Sequence, residues 1–168
     1  AGFIKVSSGS KIVTAFRARQ EILVFTEMSL HSLQFLGTTD VFGLNELESN
    51  ISIASPRAVA GASNVIYWMG TDKFYIYNGR VDTLNCPLRD YVFNNINYDA
   101  LPYVYAGTVE THNEIWWFYP SKNSSTNDSY ISYNYKEDIW FYGSLNRSAW
   151  LDSMKLVMIR MGLLCQHL

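Results

Sequence analysis

Three stretches of the chain share one pattern, and that pattern leaves few folds open. They are Glu21–Gly37 (EILVFTEMSLHSLQFLG), Asn64–Leu84 (NVIYWMGTDKFYIYNGRVDTL) and Asn113–Gly143 (NEIWWFYPSKNSSTNDSYISYNYKEDIWFYG). Each opens with a short run of apolar and aromatic residues, turns, and continues as an alternating strand. The centres of the runs, at Val24, Tyr67 and Trp116, lie 43 and 49 residues apart. A spacing in the forties with several short strands per unit is the period of propeller blades. The repeat lies in the pattern, because identity between the units is low.

The turns support this reading. Gly70-Thr71-Asp72 separates the apolar run of the second unit from Lys73–Tyr77. Asn78-Gly79 predicts a two-residue type I′ loop between strands 73–77 and 80–84, since both residues tolerate positive φ. In the third unit the polar stretch Pro120–Asp128 parts Ile115–Tyr119 from Tyr130–Tyr135, and Lys136-Glu137-Asp138 turns the chain into Ile139–Tyr142. Asn45–Ser49 reads as another polar loop. Helical spacing occurs only in Pro87–Asn97 (PLRDYVFNNIN), where Pro87 suits a first turn and Leu88, Tyr91 and Val92 fall at i, i+3 and i+4. The expected fold is therefore all-β: antiparallel blade-like sheets of a β-propeller, about three blades, with one short helical segment near 87–97. Three such units are too few to close a ring, which takes at least four.

Composition agrees with sheets. Aromatic residues make up 15% of the chain, with 12 Tyr, 9 Phe and 5 Trp, and rings with one packed and one wet end suit half-buried pleated surfaces. Trp68, Phe74, Ile76, Trp116, Phe118, Ile131, Trp140 and Trp150 are the expected core, with the tyrosines nearer the edges. The blade region runs over 1–152. Beyond it, 153–168 (SMKLVMIRMGLLCQHL) has no aromatic residue and holds three of the five Met. That tail is either an added helix or strand, or a foreign end produced by truncation or a change of reading frame. With Lys155 and Arg160 inside it, the tail is too short and too charged to span a bilayer, which needs about 20 apolar residues, and no membrane insertion is expected. Ala1 opens onto AGFIKVSSGSKIV without the charged and apolar regions of a secretory signal.

Signatures of catalysis are sparse. The net charge of −2 provides no basic field for holding nucleic acid through its phosphates. Neither a phosphate-cradling Gly-rich motif nor Gly-x-Ser-x-Gly occurs. Cys86 and Cys165 lack metal-ligand spacing and read as packing thiols. His31, on SLHSL, reads as an exposed or cross-strand residue, and His112 as a turn residue; neither they nor His167 pair with a second ligand. Asp72, Asp82 and Asp138 sit where turns favour Asp. Glu110 and Glu114 flank a turn ahead of IWWFY. They read either as solvated turn residues or, with Trp116, Trp117 and Trp140 as sugar-stacking platforms, as the acids of a glycan-hydrolysing or carbohydrate-binding propeller. The Asn-x-Ser sequences at Asn50, Asn123, Asn127 and Asn146 have no secretory context to give them meaning. No catalytic, cofactor-binding or metal residue is assigned.

Three phrases, LVFTEMSLHSLQFLGTTDVFGLNELESNISIASPRAV, YWMGTDKFYIYNGRVDTLNCPLRDYVFNNIN and YNYKEDIWFYGSLNRSAWLD, resemble tail proteins of short-tailed bacteriophages, specifically the tail tubular, nozzle or packaged-DNA stabilisation proteins. The resemblance runs from about Arg19 to Asp152. Val24-Phe25-Thr26-Glu27, Tyr67-Trp68-Met69-Gly70, Phe74–Gly79 and Arg147-Ser148-Ala149-Trp150 carry it most closely. It implies a propeller-bearing structural subunit of the virion, made in the host cytoplasm and arranged as a homo-oligomeric ring below the portal. Its partners would be the portal or adaptor and other tail proteins, with transient, non-specific contact to DNA passing through. It implies no catalytic residues.

Overall fold

Each apolar run hydrogen-bonds to the strand before it and the strand after it in sequence. The result is three four-stranded antiparallel meanders. The computed structural model describes residues 6, 11–37 and 41–147. The first sheet holds β1 (Ile12–Arg17), β2 (Ile22–Thr26), β3 (Ser29–Phe35) and β4 (Phe42–Ser49). The second holds β5 (Val59–Ala62), β6 (Val65–Met69), β7 (Phe74–Tyr77) and β8 (Val81–Leu84). The third holds β9 (Tyr105–Val109), β10 (Glu114–Tyr119), β11 (Ser129–Asn134) and β12 (Ile139–Ser144). Strand order follows chain order within every sheet, the arrangement of propeller blades.

The expected repeat is in phase with the structure. Val24, Tyr67 and Trp116 are each the third residue of the second strand of their sheet. The residues on either side of them, Leu23 and Phe25, Ile66 and Trp68, Ile115 and Trp117, are buried between sheets. The expected units began one strand late, however. They omit β1, β5 and β9, the first strands; β5 packs on β9, and Arg57, just before β5, forms a parallel bridge with Tyr105, the first residue of β9. Small residues allow this approach. A Cβ at Gly61 would come within 3.2 Å of the Phe16 ring.

Between the sheets, aromatic rings make the core. Phe25 meets Trp68 edge-on at 5.2 Å, joining sheets one and two. Phe74 lies 5.0 Å from both Trp117 and Trp140, joining sheets two and three. The indole N–H of Trp68 donates to Ser52 O in the linker between the first two sheets, and that of Trp117 to Ala58 O at the entry to the second. Buried indoles thus satisfy their polar atom on the backbone of the segment that links the first two sheets, which ties the sheets to it.

Several expectations need correction. Asn45–Ser49 is not a loop but the end of β4, where Leu47 is the extra residue of a β-bulge between Glu46 and Glu48. The connection between β7 and β8 has three residues, Asn78 to Arg80, and only Gly79 has positive φ (104°), so it is not a type I′ turn. A two-residue turn with two positive φ values, 51° and 66°, is found at Ser63-Asn64 instead. The helical segment is real but shorter, α1 (Arg89–Asn94), followed by a 3-10 turn over Tyr98–Tyr103. It buries Val92, Phe93 and then Ile96, whereas Tyr91 is exposed. Ile76, Trp116 and Trp140 are half-buried rather than fully buried, Trp117 takes the core position, and Trp150 lies outside the described residues. Tyrosines are divided: Tyr67, Tyr75, Tyr77, Tyr105, Tyr119 and Tyr133 are buried, while Tyr91, Tyr98, Tyr103 and Tyr142 are exposed. The segment 153–168, with Cys165 and His167, also lies outside the described residues.

Candidate functional site

Hydroxyl–imidazole pairs occur at two places among the described residues: Thr111 Oγ1 and His112 Nδ1, sequence neighbours 3.0 Å apart in an exposed 3-10 turn, and a buried pair on β3. Ser29 Oγ and His31 Nε2 are 2.9 Å apart on β3. This is the distance of a nucleophile and its base. Both residues are only 1% exposed, and Ser29 Oγ is shared with Thr26 Oγ1 at 2.6 Å. No substrate atom can reach the pair, so Thr26, Ser29 and His31 form a structural polar network inside the first sheet. His31 is cross-strand, opposite Val24 and Glu46, but it is not exposed.

The paired acids are split in role. Glu110 begins a 3-10 turn, and the chain then passes through Asn113 in the left-handed region to Glu114, the first residue of β10. Glu114 accepts the indole N–H of Trp116 at 2.7 Å, whereas Glu110 lines a different cleft. Trp116, half-buried like Trp140, is stacked on Tyr130 at 4.6 Å. Trp117 is wholly buried, and Trp140 packs on Tyr133 at 4.7 Å and donates to Asn85 O. Asp138 has positive φ, as its turn requires, and accepts from Tyr133 OH at 2.9 Å; Asp82 pairs with Arg80 at 2.8 Å.

Two carboxylates are held by hydroxyls. Glu21, between β1 and β2, accepts from Ser32 and Gln34 of its own sheet and from Tyr77 of the next. Burial pushes its carboxyl up, but the hydrogen bonds from Ser32, Tyr77 and Gln34 outweigh this and hold it below its ordinary value. Asp128 closes the Pro120–Asp128 loop by accepting from the backbone N–H and hydroxyl of Ser121, both at 2.7 Å. Burial raises its value as well, and the Ser121 and Ser129 hydrogen bonds bring it below normal. Cys86 is a free, buried thiol, pushed up to about 11 by burial, so it has little thiolate character.

Two of the clefts among the described residues lie where loops of different sheets meet. One, of about 500 Å³, opens where the first hairpins of all three sheets meet, and is lined by Arg17, Arg19, Ser63, Asn64 and Glu110 among others. A second, of about 560 Å³, is lined by Arg57, Tyr103, Ser125, Thr126, Asn127, Asn146 and Arg147. Neither was foreseen, because each combines loops from separate repeats. Among the described residues, no group of three or more His, Cys, Asp or Glu is placed to hold a metal ion, and no helix is long and apolar enough to cross a membrane.

Apolar surface is concentrated at the β3–β4 hairpin. Phe35, Leu36, Val41 and Phe42 are 47–69% exposed, with the two phenyl rings 5.8 Å apart. On the third sheet, Ile139 and Phe141 of edge strand β12 are also exposed. Exposed apolar clusters of this kind mark contact surfaces. No known protein-family model matches the chain, and no characterised protein matches its sequence.

Proposed function

We propose that the chain is a structural subunit of a bacteriophage virion, a tail nozzle or tube protein attached below the portal and forming part of the DNA exit channel. The observation that carries this reading is the row of three stacked blade-like sheets with apolar surface at both ends: the β3–β4 hairpin on the first sheet and β12 on the third. A row of three blades does not close on itself, so its end faces suit further sheets. The resemblance of LVFTEMSLHSLQFLG, YWMGTDKFYIYNGR and YNYKEDIWFYG to short-tailed phage tail proteins gives those faces their partners: copies of the chain in a ring, the portal or adaptor, and other tail proteins. The acidic balance, 15 Asp and Glu against 13 Lys and Arg, suits a channel through which DNA slides, since dense phosphate contacts would retain it.

The experiment is co-sedimentation of the full chain with a portal ring, followed by electron microscopy of particles. The expected result is a ring of copies below the portal. A chain that stays monomeric at high concentration and never associates with portal or tail components would overturn the assignment. The Trp116–Tyr130 stack favours a second reading, a carbohydrate-binding propeller. A glycan panel followed by intrinsic fluorescence decides it: binding quenched by Trp116→Ala supports it, and a panel without binding removes it.

A further inference from the structure

Asn78-Gly79 is the one Asn-Gly pair in the sequence, and the β7–β8 hairpin holds it open to its own chemistry. Asn78, Gly79 and Arg80 form the three-residue loop between Tyr77 and Val81, and all three are exposed. One long hydrogen bond closes the loop, from Asn78 N to Arg80 O at 3.3 Å. The Asn78 carboxamide makes no hydrogen bond with the described residues, and neither does the Gly79 N–H, which lies outside the strand ladder. Gly79 has a φ of 104°, and a Cβ built there would meet nothing within 4 Å, so the loop tip stands clear of the rest of the fold. Glycine also lacks the side chain that screens the backbone nitrogen of other residues.

Asparagines elsewhere are restrained at one of the two reacting groups. The Asn127 carboxamide is buried and donates to Tyr103 O at 2.7 Å. Asn123 is exposed, but the next nitrogen, Ser124 N, donates to Ser121 O at 2.9 Å. The nitrogen after Asn146, that of Arg147, donates to Asn127 O at 3.2 Å. Asn64 is followed by Val65, whose branched side chain crowds its own nitrogen.

We propose that Asn78 is a self-modifying site: attack by Gly79 N converts it, in the folded chain, to an aspartyl or isoaspartyl residue. Gly79 N gives its proton to solvent, and its lone pair attacks Asn78 Cγ. The Cγ–Nδ2 bond breaks, and the amide nitrogen leaves as ammonia after taking a proton from water. The succinimide ring that remains adds water at one of its two carbonyls. Opening at Cγ gives Asp; opening at the main-chain carbonyl gives isoaspartate, with the backbone running through Cβ. Water is the only co-reactant, and nothing is oxidised or reduced. Either product adds one negative charge to the net −2 of the chain, next to the Arg80–Asp82 pair. Isoaspartate also lengthens the loop by one main-chain carbon. The hairpin of the second sheet therefore changes charge and length with the age of the protein, whatever the chain assembles with.

The full chain is incubated near pH 8 in oxygen-18 water and then digested with trypsin in ordinary water. Cleavage after Lys73 and Arg80 releases FYIYNGR, in which Asn78 is the sole side-chain amide. Mass spectrometry then counts, by its label, only the acid formed in the folded chain. A synthetic peptide of the same sequence gives the unrestrained rate. Labelled Asp and isoaspartate should form at Asn78 at least about tenfold faster than at Asn123, and within about a hundredfold of the peptide rate. Gly79→Ala should slow the reaction at least about tenfold. Asn78→Gln, which makes no demand on the backbone, should abolish the label if Gly79→Ala does not fold. A rate at Asn78 no higher than at Asn123, a rate more than about a hundredfold below the peptide's, or an undiminished label in either folded variant would each overturn the assignment.

Discussion

The first and second sheets meet through one edge-on ring pair, Phe25 on Trp68, and a hydrogen-bonded carboxylate, Glu21 held by Tyr77. The second and third sheets meet through more rings: Trp117 and Trp140 on Phe74, and Tyr67 beside Tyr133 at 6.0 Å and Tyr135 at 6.1 Å. They are also bound by backbone, since Thr108 and Trp117 donate to carbonyls of Gly61 and Ala58, and Ser55 to Val104 O. Both junctions bury aromatic surface, but only the first depends on an ionised group at its contact. Apolar burial is indifferent to pH, whereas a hydrogen-bonded carboxylate loses its advantage when protonated. The first junction is therefore the acid-sensitive one.

The largest test of this contrast is Trp117→Ala. The ring is fully buried at the second junction, and its removal should cost about 3–5 kcal/mol, measured by urea denaturation at neutral pH. A loss below about 1 kcal/mol would mean that the rings around Phe74 do not hold sheets two and three together. Next in size is Gly70→Ala, beside the first junction. The new methyl would lie 2.6 Å from the Tyr75 ring, 2.8 Å from Ser52 Oγ and 2.9 Å from Lys73 O, one of them backbone. Overpacking here should cost about 1–3 kcal/mol, and unchanged thermal stability would show that the linker at Ser52 is free to move.

Gly79→Val is a control in the β7–β8 hairpin, two residues beyond Tyr77 and making no contact of its own with either junction. A Cβ there meets nothing within 4 Å, so the cost is the positive φ alone, about 1 kcal/mol or more. It should be the same at pH 7 and pH 4; a pH-dependent cost would mean that the hairpin reports on the Glu21 contact. The smallest effect belongs to Tyr77→Phe, which removes one hydrogen bond to a partly solvated carboxylate and should cost about 1 kcal/mol at pH 7. Its sign with pH follows from the lowered folded value of Glu21. The stabilisation is complete above the unfolded carboxyl's range and lost as pH falls through the folded value. The wild-type advantage over Tyr77→Phe should thus shrink on acidification, while Asp128, held by Ser121, retains its own acid sensitivity in both proteins. An advantage that is constant from pH 7 to pH 3 would remove the carboxylate from the first junction.

Much of the fold was legible because apolar runs and turn residues act locally. The runs at Val24, Tyr67 and Trp116, the loop Pro120–Asp128 and the turn at Lys136–Asp138 all fall where pattern places them. The first strands escaped notice. Val59-Ala60-Gly61-Ala62 is short and built of small residues packed on more than one side, so it shows neither alternation nor aromatic content. Ser63-Asn64 makes the two-residue turn that Asn78-Gly79 advertises more strongly, because the register of β7 on β8 leaves Arg80 in the loop.

Sequence alone determined that the chain forms short antiparallel strands in repeated units, since alternation and turn chemistry are properties of neighbours along the chain. It determined that adjacent residues such as Trp116 and Trp117 lie on opposite faces, since the strand period is two. Which of the two faces the core was decided by the tertiary structure, because it depends on which side the second sheet packs. The same holds for the cleft of Arg57, Asn127 and Arg147: Arg57 is far from the other two in sequence, and only the stacking of sheets two and three, with the loops at their ends, brings the three side chains to one cleft.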